Sequence, residues 1–193
     1  MAAVRAGIET RQPVVVTDEA LVDRLRAGEA GAGEELVRRY CQALLRYLQK
    51  LAGSSELAEE LHQQTWTSVL EHIDRFDAAT AGGGFKAWVY RIATNKANDH
   101  WRSRGRERSA KEGLKLILDE AGPDASQPME GSEQSEKLRA AIDQLPESQK
   151  QVLLLRYYSG LKFVEIAATL GCPLNTALGR MHKAMMRLKQ MME

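Results

Sequence analysis

Apolar residues recur at helical spacing along most of this chain, in blocks broken by glycine and small polar residues. Strand signals are almost absent; the one β-branched run, Pro13-Val14-Val15-Val16, only precedes a helix start. Thr17, followed by Asp18 and Glu19, reads as an N-cap with acids in the first turn, and predicts a helix from Thr17 to near Ala27. Gly28, Gly31 and Gly33 break the pattern. Leu36, Tyr40, Leu44, Tyr47, Leu48 and Leu51 then set one face of a second helix, Gly33 to Leu51. Gly53-Ser54-Ser55 ends it and caps a third helix, Ser55 to about Arg75, with Leu57, Leu61, Thr65, Val69 and Ile73 inward. A loop from Asp77 to Gly84 closes on three glycines. It leads to a fourth helix, Phe85 to about Arg104, with Phe85, Trp88, Val89, Ile92, Ala93 and Ala97 as its apolar positions.

The stretch from Leu138 to Glu193 predicts three or four short helices. Ile166, Ala167 and Leu170 share a face on one of them, and Leu174, Ala177, Met181, Ala184 and Leu188 on the last. Gly171-Cys172-Pro173 joins the two. Gly171 suits the left-handed C′ position, and Pro173 cannot continue the first helix but suits the start of the next. Two short helices, a small-residue turn and a basic second helix describe a helix-turn-helix, whose second helix fits the DNA major groove. Arg180, Lys183, Arg187 and Lys189 stand there against Glu193 alone, the balance that phosphate contacts favour.

Composition sharpens this picture in one respect. The net charge of +1 conceals strong segregation. From Lys86 to Lys111 eight bases face Asp99 and Glu107, whereas from Glu112 to Glu136 seven acids face Lys115. The second stretch also holds Gly113, Gly122, Pro123, Pro128 and Gly131, and reads as a linker, with a helical turn at most at Leu114–Leu118. The expected architecture is therefore all-α. A loose tail (1–16) precedes an amino-terminal helical module (17–108), a flexible acidic tether (109–132) and a carboxyl-terminal helix-turn-helix module (133–193). Such a tether lacks the apolar surface to offset its ordering entropy, and its charge suits it to draw the two basic modules together.

Several function classes are disfavoured. Cys41 and Cys172 lie in different modules, so no disulfide is expected, and both read as small residues of a reducing compartment. His62 and His72 are too far apart for adjacent-turn metal ligation and read as surface residues, so no metal or other cofactor is expected. No apolar run has membrane-spanning length, which points to a cytoplasmic protein. No nucleophile elbow, phosphate loop or paired carboxylates appear, and Glu59 and Glu60, being adjacent, point to different helix sectors; an enzyme is not expected. A stand-alone helix-turn-helix regulator is the alternative, but it has no use for one further feature. On the fourth helix Trp88, Tyr90 and Trp101 interleave with Lys86, Arg91, Lys96, Arg102 and Arg104. Aromatic faces stack on unpaired bases while cations follow the backbone, which is how single strands are held. Trp88 and Ile92 are expected in the core, Trp101 and the arginines after it in solvent.

Three segments in order, LAEELHQQTWTSVLEHIDRF (57–76), FKAWVYRIATNKANDHWRSRGR (85–106) and LPESQKQVLLLRYYSGLKFVEIAATLGCPLNTALGRMHKA (145–184), resemble bacterial RNA polymerase sigma factors. The resemblance is to the small extracytoplasmic-function (ECF) class, which keeps only regions two and four. It implies a transcription initiation factor whose partners are core RNA polymerase, promoter DNA and an anti-sigma factor. By the same resemblance Glu59, Glu60, Leu61, Gln63, Gln64 and Trp66 dock on the clamp of the largest polymerase subunit, with Gln64 where the family usually has an acid. Lys86, Trp88, Arg91, Asn95, Asn98, Trp101, Arg102 and Arg104 are implied at the minus-ten element, beneath a loop, Asp77–Gly84, that captures a flipped base. Asn95 and Asn98 are three apart and share a face with Arg91 and Arg102. Asn175, Thr176, Arg180, His182, Lys183 and Arg187 are implied at the minus-thirty-five element, with Leu178 and Gly179 where a basic residue and a serine are frequent.

Overall fold

The computed structural model describes residues 16–112 and 133–193, with side chains as far as Arg106 in the first span. Most of the expected tail (residues 1–15), the core of the tether (113–132) and the turn at Leu114–Leu118 lie outside the described residues. The described segments are all-α. The amino-terminal module comprises α1 (Asp18–Arg26), α2 (Ala30–Ala52), α3 (Ser55–Glu71), a 3₁₀ turn (Ile73–Arg75) and α4 (Gly84–Glu112). The carboxyl-terminal module comprises α5 (Glu133–Asp143), α6 (Glu147–Leu154), a π turn (Leu155–Ser159), α7 (Phe163–Thr169) and α8 (Leu174–Met192).

Local chemistry sets most boundaries. Thr17 caps α1 by accepting the Ala20 N–H at 3.3 Å, and Ser54 caps α3 by accepting that of Leu57 at 3.2 Å. Between α2 and α3 Gly53 takes the left-handed conformation. Gly171 does the same after α7, where the Cys172 N–H reaches the Ala167 carbonyl at 3.0 Å in a Schellman closure. Three boundaries differ from the sequence expectation. The second helix starts at Ala30, since an internal Gly31 and Gly33 interrupt hydrophobicity without breaking the backbone ladder. The third tightens to a 3₁₀ turn after Glu71, and the fourth continues past Arg104 to Glu112.

The inward faces pack as their spacing predicts. Leu36, Leu44, Tyr47, Leu48 and Leu51 of α2 meet Leu61 and Val69 of α3 and Phe85, Val89, Tyr90 and Ala93 of α4 in one buried cluster. Tyr47 and Thr94 hydroxyls hydrogen-bond at 2.8 Å inside it, which satisfies both across α2 and α4. Three residues sit differently from expectation. Trp101 is half-buried and packs against this cluster, and both His62 and His72 are half-buried and hydrogen-bonded where open surface positions are expected.

The two modules pack against one another. Val152, Leu154, Leu155, Leu161 and Ile166 belong to the same buried cluster as α2 and α4, while Ala141, Leu145, Leu153, Ala184 and Leu188 form a small core private to the carboxyl module. Helix α6 is buried on all sides from Gln149 to Leu154, polar residues included.

Candidate nucleic-acid interface

Helix α3 splits its implied docking residues into two sets. Glu59, Glu60, Gln63 and Gln64 are exposed along one side, with Gln64 Nε2 donating to Glu60 Oε1 at 2.9 Å. The helix carries four glutamates and no lysine or arginine, so this side is a uniformly acidic and amide surface. Leu61 and Trp66 are corrected here: at 1% and 8% exposure they are core residues, which hold the surface in place rather than form it. The Trp66 indole Nε1 lies 3.1 Å from His62 Nε2 and the Cys41 carbonyl 3.2 Å from the same nitrogen, so each tautomer of the ring makes one bond. Burial holds the His62 imidazole below its ordinary range, with the Cys41 carbonyl opposing.

The entrance to the glycine loop is fixed from α1. The Arg26 guanidinium donates to the carbonyls of Ile73 at 2.8 Å, Asp74 at 3.2 Å and, closest of all, Phe76. It thus supplies donors to carbonyls left over where α3 and the 3₁₀ turn end. No spacing rule in the sequence singles out Arg26. The Asp77 carboxylate accepts the Ala79 N–H at 2.9 Å, and Arg91 Nη2 donates to the Ala81 carbonyl at 2.8 Å. Gly82, Gly83 and Gly84 all have φ between +63° and +146°. A Cβ on Gly82 would lie 2.7 Å from Ala168 Cβ, and one on Gly83 2.8 Å from Glu165 Cγ. These glycines therefore admit a close approach by α7 as well as a left-handed path.

Along α4, Asn95, Arg102 and Arg104 are exposed, and Lys86, Trp88, Arg91, Asn98 and Trp101 are half-buried. Trp88 packs with Phe76 and Phe85 at centroid distances of 5.3 Å and 5.9 Å, so it supports the loop end from within. Helical spacing puts Arg91, Asn95, Asn98 and Arg102 on one side, and Lys86 and Arg104 on another. Asn98 is already engaged: its Oδ1 accepts from Gln151 Nε2 of α6 at 2.6 Å. Arg102 pairs with Asp99 at 3.3 Å in solvent, a contact of little strength.

Helix α8 buries Ala177, Ala184 and Leu188, holds Thr176, Arg180 and Met181 half-buried, and turns Leu174 outward at 40% exposure. Thr176, Arg180, Lys183 and Arg187 recur at i, i+4, i+7 and i+11 and form one stripe, with Lys183 and Arg187 exposed and Thr176 and Arg180 half-buried. Asn175 and His182, seven apart, form a second exposed stripe. Leu178, 41% exposed, lies on this second stripe at i+3 from Asn175. Among the described residues no cluster of three or more His, Cys, Asp or Glu is arranged for a metal ion, and no helix is long and apolar enough to cross a membrane.

Residues 36–107 match the family model for sigma-70 region 2, and residues 135–188 that for sigma-70 region 4. The ECF RNA polymerase sigma-E factor of Salmonella typhimurium is 30% identical over 178 residues, covering 88% of this chain and 91% of that protein. The ECF RNA polymerase sigma factor SigE of Mycolicibacterium smegmatis is 33% identical over 159 residues, 81% of this chain. This chain spans only 60% of that relative's length. The sigma factor RpoE from Bartonella quintana, solved in complex with the anti-sigma factor NepR, has the same fold, with a TM-score of 0.66 at 24% identity over 82% of this chain and 94% of that one.

Proposed function

The chain belongs to the ECF sigma factors of the sigma-70 family, and from that membership we propose that it binds core RNA polymerase, directs it to specific promoters and helps open the minus-ten element. The observation that carries this reading is the presence, in one chain, of a bare acidic and amide face on α3 and two basic helices, α4 and α8, in separate modules. Glu59, Glu60, Gln63 and Gln64 dock on a basic helical surface of the polymerase clamp, held in position by buried Leu61 and Trp66. Lys183 and Arg187 contact phosphate at the minus-thirty-five element, while Asn175, Thr176, Arg180 and His182 lie nearer base edges. The side of α4 bearing Arg91, Asn95, Asn98 and Arg102 meets the minus-ten strand, with Asp77–Gly84 over an extruded base and Lys86, Trp88, Trp101 and Arg104 at its margins. The protein acts in the cytoplasm as a non-catalytic initiation factor, and an anti-sigma factor is its natural antagonist.

In-vitro transcription with core polymerase on genomic fragments, followed by start-site mapping, tests this. Transcripts that depend on the protein and start downstream of a shared pair of promoter motifs are expected. Tight binding to promoter duplex without polymerase, and no protein-dependent transcript, would instead identify a stand-alone helix-turn-helix regulator.

A further inference from the structure

We infer that Arg26 is a positioning residue for strand opening: from α1, which lies outside both matched segments, it sets the path of the loop that covers the extruded base. The inference rests on the reading above that Asp77–Gly84 makes this capture.

One face of α1 is turned to the loop. Glu19, Val22, Asp23 and Arg26 recur at i, i+3, i+4 and i+7, and they line a groove whose opposite wall includes Phe76 and Asp77. The ends of this face meet the two ends of the loop. At the entrance Arg26 Nη2 donates to the carbonyls of Ile73, Asp74 and Phe76, and Nε donates to Ile73 again at 3.2 Å. At the exit the Glu19 carboxylate stands beside Gly84, 3.2 Å from where a Cβ would be. Gly84 opens α4, whose amino terminus favours a negative charge. Between these points the groove is open, with a volume of about 440 Å³. Helix α1 therefore holds the loop by its end contacts rather than by side chains packed along it.

The Phe76 carbonyl belongs to the residue just before the loop. Its ring, 5% exposed, packs on Phe85 and Trp88 of α4 at centroid distances of 5.6 Å and 5.3 Å. Backbone and ring of Phe76 are thus fixed from two different helices. Asp77 follows directly. Its carboxylate accepts from the Ala79 N–H at 2.9 Å and the Thr80 hydroxyl at 3.2 Å, and its carbonyl accepts the Ala81 N–H at 2.9 Å. The first half of the loop is therefore a closed turn whose direction is set at Phe76. Arg91 holds the far end of that turn through the Ala81 carbonyl at 2.8 Å.

Arginine suits this task. Its planar fork places several donors at fixed angles and reaches neighbouring carbonyls together, whereas lysine offers a compact charge on a flexible stem. Pairing does not explain the side chain as well: it is 30% exposed, and its contact with Asp23, at 3.5 Å in solvent, is weak. A loop already held in place has less conformational freedom to give up when a base enters.

The test uses the full chain assembled with core polymerase, on a pre-opened promoter whose non-template strand carries an abasic site at each minus-ten position in turn. Wild type is expected to show one position where removing the base weakens the complex about tenfold, the scale of one base stacked on an aromatic group. Arg26→Met keeps the length and removes the donors. It is expected to bind the intact template about tenfold more weakly, and to lose less than about twofold more when that base is removed, because capture is already gone. A purely structural role would weaken both templates alike and leave the difference between them in place, and that result overturns the proposal. Arg26→Lys is expected to restore only part of the difference; full restoration would show that charge suffices, and would overturn the role of the forked donors. Arg24→Met removes an arginine of the same helix that pairs with Glu29 in solvent at 2.8 Å, and is expected to behave as wild type. If it also erases the difference, the effect belongs to α1 as a whole and the proposal falls. Should Arg26→Met not fold, Arg26→Lys carries the same comparison, with an unchanged difference as the contrary result. A wild-type complex indifferent to every abasic site would overturn the capture reading itself, which is a different outcome from a difference that survives in the variants.

Discussion

Helices α3 and α4 pack side by side in the amino-terminal module, yet their outward faces are in opposite states. The glutamates and glutamines of α3 are open to solvent, and Ala58, Leu61, Trp66 and Val69 are committed to the core. The corresponding side of α4 is partly occupied, Asn98 by Gln151, Arg91 by the Ala81 carbonyl and the glycine loop by α7, while Asn95 and Arg102 stay exposed. The difference teaches that a surface charged for nucleic acid is not thereby available to it. Under the proposed function, recruitment and strand opening fall to these neighbouring helices, of which only the first has its polar face wholly open.

Four substitutions and one titration probe that contrast. The largest effect is expected inside α3 rather than on it. Leu61→Ala removes a side chain buried to 1% exposure and should lower folding stability by about 3 kcal/mol, read by thermal or denaturant unfolding. If Leu61→Ala left stability intact and reduced only polymerase affinity, the division of α3 into core and docking residues would be wrong. Next comes the covered side of α4. Asn95→Ala with Asn98→Ala should reduce open-complex formation on duplex promoter by roughly 30-fold, at about 1 kcal/mol for each lost bond. Core affinity should barely move, and a template mismatched at minus ten should recover much of the loss, because unpairing no longer has to be driven. On the bare side of α3, Glu60→Lys should weaken core binding about tenfold with stability unchanged, as expected for a charge reversal at an interface.

Helix α8 sharpens the comparison because its basic stripe is bare, as α3 is. Lys183→Ala should weaken every promoter by a similar small factor and lower the salt slope by about one. A promoter-selective loss would mean that Lys183 reads bases. The smallest effect concerns His62 behind the docking face. Burial lowers its pKa from an ordinary 6.5, so the unfolded chain takes up the proton first as pH falls. Stability from the neutral ring is therefore complete above that ordinary value and declines as pH drops through it. His62→Gln should flatten this part of the stability–pH curve.

Much of this organisation is legible from local signals. Thr17, Ser54 and Gly171 mark helix ends because capping depends on one residue and its near neighbours. The inward faces of α2 and α3 follow from periodicity alone, since one amphipathic face has only one side to bury. What escaped is tertiary. Trp66 sits within a motif whose exposed members are polar, and a motif does not state which of its residues face inward; for Leu61 of the same motif, periodicity does. Gln149-Lys150-Gln151 has the composition of a surface turn, yet all three are buried, Lys150 on Asp143 of α5 and Gln151 on Asn98 of α4. Arg26 has no acidic partner at helical spacing on the loop it holds; its partners are backbone carbonyls, which leave no trace in the sequence. The three glycines of the loop suggest freedom of movement, whereas two of them also make room for α7.

Strand opening by this chain can be observed directly through the reactivity of unpaired thymines to permanganate across a mapped promoter. The account predicts reactivity at the minus-ten element only when promoter, core polymerase and this protein are present together. It also predicts that the Asn95→Ala, Asn98→Ala variant, fully bound to polymerase, loses that reactivity on duplex DNA. Thymines that stay unreactive in a complex of wild-type protein, polymerase and promoter would contradict it, as would full reactivity with the double variant.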